Sequence, residues 1–206
     1  MIQRARPHAE GRIRSGDCTQ RVSIEQMQRR GVNVQRLAEK LTDAAASAFV
    51  RYYHYLNLRA QLAGLEDYKA VCEKARRRAG THFEWIAPRL YELSESLPTD
   101  MREFMERASC PEPTLPRDAT PADLLEVMLE SERCAVRTWN ELCDLTLGKD
   151  PRTYELAARI LSDVIEHEAW CVELLSMERD GVARPSGQVA MRHETEDEGK
   201  AWPRSA

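Results

Sequence analysis

Three polar residues fall where the hydrophobic pattern calls for core. His82 lies between Ala79 and Ile86. Glu132 shares a helical face with Leu125, Met128, Ala135 and Trp139, and His167 shares one with Val164, Cys171 and Leu174. A carboxylate removed from water without a partner is costly, so Glu132 needs a cation, a hydrogen-bond donor or a metal. Two imidazoles and a carboxylate from three segments are also a plausible metal-ligand set. The plainer account of either histidine alone is a hydrogen-bonded core residue. What separates the two accounts is whether the three segments converge.

The elements that carry them are legible from their ends. Apolar residues recur every three to four positions from about Asn33 to Ala63, with Leu41, Ala45, Ala48, Tyr52, Tyr55 and Leu56 on one stripe. A second helix is expected over about Tyr68–Leu93. Asp100 with Glu103 is a capping-box pattern that opens a short helix to about Ala108. The run Cys110-Pro111-Glu112-Pro113-Thr114-Leu115-Pro116 cannot be helical, because proline lacks the donor and restricts its predecessor. Thr120-Pro121 then starts a third helix that stops at Gly148, and Asp150-Pro151 starts a fourth that ends near Asp180. Two long helices, a crossover with a short helix, and two more long helices make an all-α, ferritin-like four-helix bundle. It should occupy residues 33–180. Residues 1–32 read as a basic, mobile arm and 181–206 as a mobile tail.

Composition narrows the function classes. The chain has 206 residues, nine glycines, 31% charged residues and a formal charge of −4. This favours helices and argues against a globally basic nucleic-acid binder. No apolar run approaches the roughly 20 residues a bilayer span needs, and the arginine-rich start has no apolar stretch typical of a secretory signal. A cytoplasmic location without membrane contact is expected. The six cysteines, Cys18, Cys72, Cys110, Cys134, Cys143 and Cys171, lack the paired spacing of a zinc site.

Several runs resemble the Dps-like proteins, a branch of the ferritin superfamily also called thioferritins. They are Tyr52-Tyr53-His54-Tyr55 with Leu58-Arg59, His82-Phe83-Glu84 with Arg89-Leu90-Tyr91-Glu92-Leu93, and Glu132 to Trp139. Gly148-Lys149-Asp150-Pro151-Arg152-Thr153-Tyr154, Ile165-Glu166-His167-Glu168-Ala169-Trp170 and Arg184-Pro185-Ser186-Gly187 complete the set. The likeness covers about residues 33–187. It implies a dodecameric homo-oligomeric shell that oxidises ferrous iron with peroxide and stores the product. It also implies a disulfide between Cys110 and Cys134; Cys72, Cys143 and Cys171 read on their own as buried free thiols. A centre of this kind takes one carboxylate each from the first and third helices. The second and fourth helices each supply a carboxylate three residues before a histidine.

Here the chain departs from that pattern. The three other carboxylate positions hold Ala48, Ala79 and Val164, leaving His82, Glu132 and His167. One carboxylate cannot balance two iron ions, so the ferroxidase activity of the lineage is expected to be lost or altered. Two arrangements stay open to the sequence. Asp163, four residues before His167, can reach in as an extra ligand, or the two histidines and Glu132 can hold a single ion. The Arg76-Arg77-Arg78 run reads first as a solvated face; the alternative is that Arg78, four before His82, supplies a guanidinium to Glu132 in place of metal charge. His54 faces elsewhere. Partner readings are a second copy of the chain, an active paralogous subunit, or DNA held by the arginine-rich arm.

Overall fold

The computed structural model describes residues 23–62, 66–110 and 119–180. A short helix, α1, covers 23–29. It is followed by α2 (Val34–Gln61), α3 (Glu66–Glu92), α4 (Met101–Glu106), α5 (Pro121–Thr146) and α6 (Pro151–Arg179). All four long helices and the crossover helix lie within a few residues of where the sequence puts them. Most of the arm, the tail from 181 onward, Cys18 and the proline run after Cys110 lie outside the described residues. The described end of the arm is not separate from the bundle. Met27 and Val32 are buried in its core.

The caps explain the boundaries. Thr120 accepts from the Asp123 backbone while the Asp123 carboxylate accepts from Thr120, closing a capping box ahead of Pro121. Asp150 caps α6 through Thr153 N, and Asp100 caps α4 through Arg102 N. Gly148 takes φ +69°, the left-handed value that lets the chain leave α5 and turn into α6.

The bundle is built from two antiparallel hairpins, α2 with α3 and α5 with α6. The crossover helix is pinned by Phe104, whose ring lies 5.9 Å from Phe49 and 6.0 Å from Phe83. The core falls into two apolar clusters. One contains Leu41, Ala48, Ile86, Ala135 and Val164. The other contains Tyr55, Cys72, Met128 and Cys171. Between them lie Arg51, His82, Glu132 and His167, one from each long helix and all buried. The fold therefore brings the polar residues of three sequence segments into one buried region of the bundle, and adds a fourth.

Candidate metal centre

Glu132 is 1% exposed and fully engaged. The Tyr55 hydroxyl donates to its Oε1 at 2.5 Å, and Arg51 Nη1 donates to its Oε2 at 3.2 Å. His167 Nδ1 stands 3.9 Å from Oε1, close enough to attract but too long for a hydrogen bond. Burial pushes this carboxyl up, yet Arg51, His167 and Tyr55 outweigh that and hold it at about 2. Burial with the neighbouring Glu132 charge raises Tyr55 well above its ordinary value, so Tyr55 is the donor of that short bond.

Arg51 is the residue that stripe reasoning missed. It lies three residues after Ala48 and four before Tyr55, so all three share one face of α2. With alanine at 48 there is no acid to fill that face, and the guanidinium turns inward, only 4% of the residue remaining exposed. The alternative pairing of Arg78 with Glu132 does not form. Arg78 lies on α3, which faces α6, and its Nη1 donates to Asp163 at 2.7 Å and Glu166 at 3.1 Å. The signal for Arg51 was available: an arginine at i+3 from one inward position and i−4 from another.

Asp163 does reach inward, but to a histidine. His82 Nε2 lies 2.9 Å from Asp163 Oδ2. Burial lowers the affinity of His82 for a second proton, while His82 and Arg78 hold the Asp163 carboxyl down against its own burial. A neutral His82 thus donates a hydrogen bond from its Nε2–H to Asp163, leaving Nδ1 a bare lone pair. Buried Nδ1 of His82, Nε2 of His167 and Nε of Arg51 have no hydrogen-bond partner. Anchoring one ring nitrogen on a carboxylate is how metal-binding histidines are commonly oriented. Among the described residues, however, no group of three His, Cys, Asp or Glu side chains is placed to hold a metal ion.

The model of the ferritin-like domain matches residues 38–179. The DNA protection during starvation protein of Pyrococcus furiosus is 47% identical over 163 residues, 78% of this chain and 85% of that one. The chain belongs to the ferritin-like family. Its similarity to that relative puts it on the Dps-like side of the superfamily. The dodecameric thioferritin of Bacteroides fragilis, a bacterioferritin-related protein, superposes with a TM-score of 0.71. It is 25% identical, over 80% of this chain and 99% of that one. Dps from Thermosynechococcus elongatus shares the fold at a TM-score of 0.64 and 16% identity, over 75% and 95%.

In this Dps-like chain the three positions without carboxylates are dry. Ala48 and Val164 are 0% exposed and Ala79 is 2% exposed. Cys110 and Cys134 are joined by a disulfide with Cα atoms 5.7 Å apart, ordinary for the bond. Cys72 and Cys171 are buried free thiols, and Cys143 is a half-buried one. His54 is partly exposed, with its ring edge-on to Tyr53 at 6.1 Å. No described helix is long and apolar enough to cross a membrane.

Proposed function

We propose that this chain is a shell-forming member of the iron-storage and peroxide-defence lineage whose own di-iron centre is degenerate. The observation that carries this reading is the Arg51–Glu132 ion pair, a guanidinium on the carboxylate where a metal pair would need negative charge. Two ferrous ions bring four positive charges. The centre offers one carboxylate already neutralised, two imidazoles, and Asp163 committed to His82 and Arg78. Iron prefers oxygen ligands, and the walls at Ala48, Ala79 and Val164 supply none. The donor set does not fit a di-iron pair. A single ion on His82, Glu132 and His167, with or without Asp163, would first have to displace Arg51.

The protein is then a structural or storage subunit of a cytoplasmic homo-oligomer, a dodecamer by likeness to the Bacteroides thioferritin, alone or with an active paralogue. The test is peroxide-driven oxidation of ferrous iron, counted as iron oxidised per subunit. No acceleration over buffer is expected. Rapid oxidation with retained ferric iron would overturn the reading. Restoring acids with Ala48→Glu, Ala79→Glu and Val164→Glu while shortening Arg51→Leu should create activity absent from the parent.

The name of the Pyrococcus relative, DNA protection during starvation protein, favours a second reading, DNA protection. The N-terminal arm carries Arg4, Arg6, Arg12, Arg14 and Arg21 against Glu10 and Asp17. DNA binding that falls steeply with salt, and disappears when residues 1–22 are removed, would support it.

A further inference from the structure

One helical turn from Glu132 and His167, on the side away from Ala48 and Val164, three sulfur side chains share a layer of the bundle. Cys72 comes from α3, Met128 from α5 and Cys171 from α6, with exposures of 0, 2 and 1%. The Cys72 thiol donates to Met128 Sδ at 3.8 Å. Register brings in the third. Helices α5 and α6 run antiparallel with His167 against Glu132, so one turn back along α5 and one turn on along α6 set Met128 opposite Cys171. Cys171 also lies within electrostatic reach of Cys72. All three belong to the apolar cluster that contains Tyr55, Leu124 and Leu125.

A buried cysteine by itself behaves as a small hydrophobe. Two thiols and a thioether from three helices in one layer are also a donor set of defined chemistry. Soft sulfur ligands select copper(I). Zinc in a structural site takes four ligands, and the layer offers three. We propose that Cys72, Met128 and Cys171 form a binding site for one copper(I) ion, distinct from the Glu132 centre.

Binding is an exchange without electron transfer. A copper–sulfur bond forms as one thiol loses its proton to solvent, and the second thiol and the thioether complete the shell. One positive charge enters and one leaves, so the apolar layer keeps its net charge and avoids the cost of burying an unbalanced ion. The site is enclosed, so loading proceeds through transient opening of the bundle and is slow.

The test is anaerobic incubation of the full chain with copper(I), supplied as its acetonitrile complex, followed by competition with bathocuproine disulfonate at equilibrium. One ion per chain should be retained, with an all-sulfur shell by X-ray absorption. Cys72→Ser or Cys171→Ser should weaken binding at least about tenfold and Met128→Leu less so, while Cys18→Ser and Cys143→Ser leave it unchanged. Circular dichroism shows which variants fold. If Met128→Leu alone folds, an unchanged affinity overturns the proposal. No retained copper, retention that survives both cysteine substitutions, or loss on Cys18→Ser or Cys143→Ser would also overturn it. Equal retention of zinc at the same residues would overturn the monovalent assignment.

Discussion

At the scale of single residues, Arg51 and Glu132 answer for each other. Each is a buried charge whose nearest compensation is the other. Arg51→Met leaves a lone carboxylate in the core and should destabilise the protein by about 3–5 kcal/mol. Glu132→Leu should cost a similar amount by stranding the guanidinium. The double variant should recover most of the loss, because an apolar pair of similar volume replaces the ion pair without leaving a charge behind. Urea unfolding of all four proteins measures the coupling. Additive losses would mean the pair does not act as a unit. The same pair sets an acid limb. Glu132 is held at about 2 against an ordinary 4.5, so its contribution is complete above 4.5 and is lost as pH falls toward 2. The double variant should lack that loss. His82, Glu132 and His167 were legible because each interrupts an apolar stripe. Arg51 carried a signal of its own, three residues after Ala48 and four before Tyr55, but an arginine on such a stripe ordinarily snorkels to solvent, and only the missing acid at Ala48 gives it room.

At the scale of the elements, the fold was legible where chain punctuation is chemical. The Thr120-Pro121 and Asp150-Pro151 pairs place the starts of α5 and α6 to the residue, since a capping side chain and a proline at the first helical position both specify a helix start. What the sequence could not show is that the two caps differ in depth. Thr120 is exposed. Asp150 is 3% exposed and also receives Arg89 Nη2 at 2.7 Å, while Arg89 Nε donates to Thr153 Oγ1 at 2.8 Å. Burial and a partner on α3 are tertiary facts with no local signature. They predict unequal costs. Thr120→Ala should lose about 1 kcal/mol, as an ordinary cap does. Asp150→Ala should lose more, about 2–4 kcal/mol, because it also removes one of the two carboxylates that meet the buried Arg89, leaving Glu92 alone. Equal costs in urea unfolding would show that Asp150 is only a cap.

At the scale of the whole molecule, the question is whether the crossover and the buried polar region are coupled. Cys134 is two residues from Glu132, which on a helix turns it about 200° away. Its disulfide ties α5 to the crossover at Cys110, while Glu132 faces α2 and α6. The bond closes a loop of 24 residues in sequence. On loop-closure grounds its removal should cost roughly 3 kcal/mol, mainly by freeing the unfolded chain. Because that effect lives in the unfolded state and on the other side of α5, it should be the same at every pH. Cys110→Ser/Cys134→Ser should therefore lower the whole stability curve while keeping the acid limb between 4.5 and about 2 that Glu132 produces. Assembly raises apparent stability by mass action, so the comparison requires matched protein concentrations at each pH. A variant whose acid limb flattens or moves would show instead that the crossover staple positions Arg51 and Glu132. Thiol oxidation state would then be a control on the centre rather than on the fold alone.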